Sequence, residues 1–216
     1  MTVRPKTGPL AIIAGGLVLL CVAILGACRS QPPPDRGAAE VTRLASPPAS
    51  GPSVAVADGA LPTGTAVVPP TRLRIPDLRL DARVDPVGVN PKTNDFEVPP
   101  AVDLVGWYRY GPGLEATAGS VVIAGHVDSA DQGAGAFFKL RSLEPGARIE
   151  VTGADGAVRA YRVVGRETYA KSAIPLEKYF ARDGAPRLTL ITCGGPFDRG
   201  ARSYRDNVVV TATISA

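Results

Sequence analysis

The sequence predicts an all-β domain, either a barrel or a sandwich, in the C-terminal part of the 216-residue chain. From Thr71 onward, short apolar runs rich in β-branched residues recur between turns that contain Gly or Pro. Aromatic side chains supply much of the buried area of a core, and all of them lie at Phe96 or later. The packed domain is therefore predicted over residues 71–216, a length that can bury a single hydrophobic core.

Each predicted strand follows from a local pattern. Leu78, Leu80, Ala82 and Val84 alternate with charged residues, the period of two that is typical of a half-buried strand. Short helical pieces are predicted over residues 136–143 and 176–180, with Pro or Gly nearby to end them. The remaining strands are predicted at the apolar runs 121–124, 149–151, 158–164, 188–192 and 208–213.

The N-terminus reads as a membrane-targeting segment. Arg4 and Lys6 precede an uncharged, apolar stretch that runs from residue 8 to Cys28, which suits either a signal anchor or a signal peptide. Residues 25–28, Leu-Gly-Ala-Cys, resemble a bacterial lipobox, so Cys28 is a candidate for lipidation. Residues 1–28 are predicted as a signal anchor or lipoprotein signal segment at the cell membrane, with the following domain extracytoplasmic.

Residues 29–70 are predicted to form a disordered linker. The stretch 31–70 holds nine prolines together with Ala, Ser, Gly and Val, and it has no aromatic residue. Such a composition favours an extended, partly polyproline spacer of up to ~3.1 Å per residue. The chain is thus predicted to carry its domain away from the membrane on a stalk.

Charge and ligand-type residues exclude several classes of protein. The net charge is only +4, and the basic residues are scattered, so nucleic acid binding is not predicted. The domain holds one cysteine and one histidine, which are too few of the usual ligands for a metal site. Neither a metal nor another cofactor is predicted.

Three residues of the domain carry chemistry together. Cys193 is the only thiol in a predicted exported domain, so it has no partner there for a structural disulfide. A thiol attacks as its thiolate, which needs a nearby base or cation. His126, the only histidine, can carry a proton near neutral pH. Arg205 stays charged, so its role is to hold a carbonyl or an oxyanion.

These residues also carry a family resemblance. Residues 189–193, Thr-Leu-Ile-Thr-Cys, match the TLxTC signature of the sortases, the cysteine transpeptidases of Gram-positive surfaces. A Gly-His pair at residues 125–126 and Arg205 follow that family's order of His, Cys and Arg. The resemblance covers residues 71–216. The Gly-Gly-Pro after Cys193 and the Pro-rich stalk look most like the actinobacterial class F sortases.

The resemblance implies a closed eight-stranded β-barrel and a two-step reaction. Cys193 would attack the carbonyl after the Thr of an LPxTG-like signal in a secreted protein, giving a thioacyl intermediate. His126 would protonate the leaving amine and then activate an amine of a peptidoglycan precursor or a pilin, while Arg205 steadies the oxyanion. Thr192 is expected to shape the substrate pocket or the oxyanion site, without a catalytic role of its own. Asp128 is a second candidate for substrate binding, and it is placed either to orient His126 or to cap a turn.

Two other functions are compatible with the sequence. A stalked, non-catalytic binding module would use the same barrel and linker, but it would not need the thiol, the imidazole and the guanidinium together. Another wall-modifying cysteine peptidase or transpeptidase is the second alternative. A papain-like enzyme places its cysteine before its histidine, whereas His126 precedes Cys193 here.

Overall fold

A computed structural model describes residues 33–46, 67–90, 92 and 96–215 of the chain. The predicted membrane segment, with Cys28, lies outside these residues. Among the residues so described, no helix combines the length and apolar character needed to cross a membrane. The strands are β1 (Pro70–Ile75), β2 (Leu80–Val87), β3 (Val105–Tyr108), β4 (Ser120–Gly125), β5 (Asp128–Ser129), β6 (Gly133–Ala134), β7 (Arg148–Gly153), β8 (Val158–Ala170), β9 (Arg187–Asp198) and β10 (Ser203–Ile214).

Eight of these strands close into a barrel, in the order β1-β2-β3-β4-β9-β10-β8-β7. The pairs β2–β3 and β4–β9 are parallel, and the other barrel neighbours are antiparallel. The short strands β5 and β6 form a separate hairpin. The predicted eight-stranded barrel is therefore confirmed.

The barrel interior is filled by the apolar residues that the strand pattern selects. Alternate residues of each strand point inward, and Ile123, Leu188, Leu190 and Val210 are all fully buried there. All six residues of β4 are buried, as expected for a short continuous apolar run. Leu78 differs from its prediction, because it ends a 3₁₀ turn (Pro76–Leu78) and is only half-buried.

The helices are few and short. Helix α1 spans Ala38–Ala45 and helix α2 spans Leu176–Tyr179, the latter inside the predicted 176–180 segment. Within residues 136–143 the structure has turns and one 3₁₀ turn, Leu140–Ser142, so the predicted helix is wrong there. A further 3₁₀ turn, Lys171–Ala173, follows β8.

Helix α1 corrects part of the linker prediction. Val41 and Leu44, three residues apart, lie on one face of the helix and are buried. Before the helix, the backbone of Arg36 exchanges two hydrogen bonds with Arg166 of β8, at 2.7 and 2.8 Å. After it, the carbonyl of Leu44 accepts from the backbone N–H of Ala185 at 2.9 Å. Residues 34–46 are thus bound to the barrel by backbone hydrogen bonds and buried side chains. Of the predicted linker, residues 29–32 and 47–66 lie outside the described residues, and residues 67–70 lead into β1, which begins at Pro70.

Candidate active site

Two parallel barrel strands end side by side at the site. In the β4–β9 pair the last paired residues are Ala124 and Ile191. His126 and Cys193 each follow two positions later, so they lie at the same end of adjacent strands, which are about 4.8 Å apart. Strand β10 runs along the other side of β9 and places Asn207 opposite Cys193. The topology therefore brings the predicted nucleophile and the predicted acid–base together.

A buried hydrogen bond joins these two strand ends directly. The hydroxyl of Thr192 donates to the carbonyl oxygen of Gly125 at 2.8 Å, and Thr192 is buried. Each partner immediately precedes one of the two predicted catalytic residues, Cys193 and His126. The bond fixes the spacing between the nucleophile and the imidazole, because both side chains extend from backbone that it holds.

Close packing around Gly125 leaves no room for a side chain at this position. A Cβ at this position would lie 2.8 Å from the ring of Phe137 and 2.9 Å from the side chain of Val105. Both neighbours are fully buried in the barrel core and cannot move aside. A larger residue would push the start of the His126 loop away from β9.

The imidazole of His126 is half-buried and oriented by a backbone carbonyl. Its Nε2 lies 3.0 Å from the carbonyl oxygen of Pro99. A carbonyl oxygen can only accept, so Nε2 carries a proton and donates it in this hydrogen bond. In the neutral ring Nδ1 is then the nitrogen with a free lone pair, which makes it the base and the proton carrier.

The residues around Cys193 enclose a cavity of about 130 Å³. The thiol is free and half-buried. Of the described residues that line the cavity, Arg141 alone is charged. The lining residues are Val127, Phe137, Phe138, Arg141, Thr192, Cys193, Gly194, Gly195, Tyr204 and Val208.

Tyr204 links this cavity to the loop that follows His126. Its hydroxyl donates to a carboxylate oxygen of Asp128 at 2.5 Å. The hydrogen bond to Asp128, followed by burial, raises the pKa of Tyr204 to about 12, so the phenol keeps its proton through the physiological range. The rings of Phe197 and Tyr204 pack edge to face, with their centroids 5.1 Å apart. Strand β10 is thereby tied to the β5–β6 hairpin beside the thiol.

The five predicted site residues do not all line the cavity. Cys193 and Thr192 line it, whereas His126 does not, although the next residue in the chain, Val127, does. Asp128 accepts from Tyr204, and the hydroxyl of Thr192 is bonded to Gly125. Both candidate substrate-binding groups therefore hold the site together through contacts within the protein.

The side chain of Arg205 points elsewhere. It lies in a bulge of β10, between the pairs Tyr204–Phe197 and Asp206–Gly194. Its guanidinium donates to the carboxylate of Asp198 at 3.0 Å, and 66% of the side chain is exposed. Arg205 is not among the cavity-lining residues, so its catalytic role stays a prediction.

Two residues of the site were not found from the sequence. Tyr204 had a weak signal, its place directly before Arg205. Arg141 had none, because it lies 52 positions before Cys193 and nothing in its neighbourhood resembles a motif. Within the ranges that the structure describes, no group of three His, Cys, Asp or Glu side chains is arranged to hold a metal ion.

A thiol, an imidazole and a small cavity at one end of a closed barrel define the class as a cysteine-dependent acyl-transfer enzyme. Residues 73–215 match the family described as "Sortase domain". The chain therefore belongs to the sortase family, and it is a cysteine transpeptidase. No curated protein matches the sequence.

Solved sortase structures share this barrel. Sortase C-1 from Actinomyces oris matches with a TM-score of 0.52 at 18% identity, over 67% of this chain and 73% of that one. Sortase C2 of the Group B Streptococcus pilus island 1 gives 0.50 at 18% identity, over 67% and 73%. Sortase C1 of Streptococcus agalactiae gives 0.51 at 18% identity, over 67% and 66%. At this identity the likeness establishes the shared fold.

Proposed function

We propose that this sortase cleaves an LPxTG-like sorting signal after its Thr and transfers the acyl group to an amine. The observation that carries the proposal is the Thr192–Gly125 hydrogen bond of 2.8 Å, which sets Cys193 and His126 at the ends of adjacent strands. A thiol and an imidazole held in this way suit attack on a peptide carbonyl followed by proton delivery to the leaving nitrogen.

Cys193 and His126 together account for the bonds and the protons of both steps. In the first, the Cys193 sulfur forms a bond to the carbonyl carbon, the C–N bond breaks, and the thiol proton passes through His126 to the leaving amine. In the second, an incoming amine attacks the thioester and gives its extra proton to His126, the C–S bond breaks, and His126 returns that proton to the Cys193 sulfur. Because Nε2 is bonded to the Pro99 carbonyl, Nδ1 is the nitrogen that we assign to both transfers.

Arg205 has a role in this proposal only after it leaves its present partner. Its bond to Asp198 is exposed at the surface, and exposed ion pairs contribute little to stability. A bound peptide carbonyl, or the oxyanion that forms from it, would compete for the guanidinium at low cost. We therefore propose that Arg205 turns from Asp198 toward the substrate during the reaction.

The setting of the enzyme is part of the proposal. We propose a class F-like sortase of an actinobacterial, Gram-positive cell surface, anchored by residues 1–28 with its barrel outside the membrane. Its substrates would be secreted proteins with LPxTG-type signals, and its acceptor an amine of a peptidoglycan precursor or of a pilin. Mass spectrometry of the membrane-extracted protein tests lipidation of Cys28, which would add a diacylglyceryl mass and remove the preceding peptide.

The deciding experiment uses the full chain, a fluorogenic LPxTG peptide and an amine acceptor. We expect wild-type protein to cleave the peptide and form the acceptor conjugate, and Cys193→Ala to do neither. Intact-mass analysis without acceptor should show the acyl group attached to Cys193. Equal turnover by the wild type and Cys193→Ala would refute the mechanism, and tight peptide binding without any turnover would favour the non-catalytic binding module.

A further inference from the structure

The cavity beside Cys193 is lined in part by an arginine, Arg141, that the proposed reaction does not use. Arg141 lies in the 3₁₀ turn Leu140–Ser142, in the connection from β6 to β7. Leu140 and Leu143, on either side of it, are fully buried in the barrel core. The backbone of Arg141 is therefore held firmly, and its side chain lines the cavity that contains the thiol.

The charge of Arg141 is not balanced within this cavity. In the part of the chain that the structure describes, Arg141 makes no ion pair within 4 Å and donates no side-chain hydrogen bond, whereas Arg205 is paired with Asp198. The other polar side chains of the lining, Thr192 and Tyr204, are bonded to Gly125 and Asp128. Arg141 is thus the one cationic side chain of the described lining, and because the residue is exposed it is open to a ligand from solvent.

Arg141 and the thiol are close to the same phenol. The pKa of Tyr204 is raised first by its hydrogen bond to Asp128 and then by burial, and the Arg141 charge opposes that rise while a charged Cys193 adds to it. Both groups therefore lie within electrostatic range of the Tyr204 hydroxyl. With the Thr carbonyl at the Cys193 sulfur, residue x would lie about 3.5 Å away along an extended chain and the residue after Gly about 7 Å away, distances comparable to the length of an arginine side chain.

A guanidinium presents a planar fork of N–H donors that matches a carboxylate. The neighbouring lining is largely apolar, with Val127, Phe137, Phe138 and Val208, and it offers no second charged side chain to compete for such a carboxylate. We propose that Arg141 is a specificity residue that selects an acidic side chain one residue removed from the scissile Thr–Gly bond, either at x of the LPxTG signal or directly after its Gly. This inference rests on the proposed function and names the chemical class of its substrate.

The test compares peptides that differ only in charge. One set carries Glu, Gln or Lys at x, and a second set carries the same three residues after the Gly. The full chain is assayed as wild type, Arg141→Gln and Arg141→Glu. The control Arg199→Gln removes the same charge from an exposed arginine that is not among the residues lining the cavity.

We expect the wild type to prefer Glu over Gln by about three- to tenfold in kcat/KM in one of the sets, mainly through KM. Arg141→Gln should abolish this preference, Arg141→Glu should shift it to Lys, and Arg199→Gln should keep it. The preference should also shrink as salt rises from about 0.05 M to about 0.5 M. The inference is overturned if Arg141→Gln retains the wild-type Glu-to-Gln ratio in both sets, or lowers kcat equally for all peptides as an oxyanion-stabilising group would.

A binding measurement separates this inference from the proposed reaction. Fluorescence anisotropy with Cys193→Ala gives the affinity for each peptide without turnover. Tighter binding of a Glu peptide that disappears in the double variant with Arg141→Gln supports the inference even if the wild type transfers no acyl group, a result that would defeat the proposed function alone. Equal affinity for the Glu and Gln peptides in both sets defeats the inference alone.

Discussion

Replacing Thr192 with Val should separate positioning from folding at this active site. Valine keeps the shape of the buried side chain but removes the hydroxyl that donates to Gly125 at 2.8 Å. The unpaired carbonyl in a buried site costs about 1–3 kcal/mol of unfolding free energy. Because the same bond sets the spacing of Cys193 and His126, a displacement of about 1 Å between them would lower kcat/KM by about 10²-fold.

The same strand offers a matched control. The hydroxyl of Thr189 forms a buried hydrogen bond with the hydroxyl of Ser120 at 2.7 Å, at the opposite end of the β4–β9 pair. Thr189→Val should lose a similar 1–3 kcal/mol while its folded fraction keeps wild-type kcat/KM. Thr192→Ser retains the hydroxyl and should recover most of the activity, at a cost of about 1 kcal/mol for the lost methyl group.

The assay combines urea denaturation with steady-state peptide cleavage under conditions where each variant is folded. If the Thr192–Gly125 bond positions the two reacting groups, Thr192→Val loses far more activity than Thr189→Val at comparable stability. If both variants lose equal activity per folded molecule, or if Thr192→Val keeps its kcat/KM, the hydrogen bond has no positioning role and the reasoning is wrong.

Three further predictions follow from other contacts. Asp198→Asn keeps an acceptor for the turn at the end of β9 but weakens the ion pair with Arg205. We expect kcat/KM to be unchanged or to rise by no more than about fivefold. A tenfold loss would mean that the ion pair holds Arg205 in its working position. Burial raises the pKa of Tyr161 and of Tyr169 to about 12, so the stability they contribute is complete below pH 10 and is lost as pH rises through about 12. For Tyr161 the loss is about 2–3 kcal/mol, and melting curves that do not change between pH 8 and pH 12 would contradict it. Val41→Ala should cost about 1.5–3 kcal/mol in urea denaturation, and no change would show that α1 is not docked in solution.

The strands could be predicted where burial alone determines the pattern. The run at 121–124 gave β4, and the alternation at 80–84 gave part of β2. The parallel neighbours β4 and β9 could not be paired from the sequence, because more than sixty residues separate them and the partner of each strand edge is set by packing of the whole barrel.

The two errors in the predicted elements have local physical causes. Residues 136–143 have helical spacing of apolar side chains, but the N–H groups of Leu140, Ser142 and Leu143 each donate to the carbonyl three residues earlier. This is the bonding of turns and of a 3₁₀ helix, so the segment does not form a regular α-helix. In the predicted linker, the average Pro content conceals a ten-residue stretch without Pro, 37–46, whose Val41 and Leu44 can bury against the barrel.

At the active site, the sequence identifies the reactive groups but not the contacts that orient them. Cys193 and His126 were identifiable because a thiol and an imidazole have few other uses in such a domain. Which arginine lies at the cavity is decided by contacts in the folded protein. Arg141 lines the cavity, whereas Arg205 donates to Asp198. The residues of the TLxTC and Gly-His motifs that do no chemistry then have a physical purpose: Gly125 lets the strand end approach Phe137, and Thr192 fastens it to β9. Substitutions that remove the Thr192 hydroxyl or add a side chain at residue 125 should therefore impair catalysis, by about 10²-fold for a displacement of about 1 Å, although neither residue takes part in bond making.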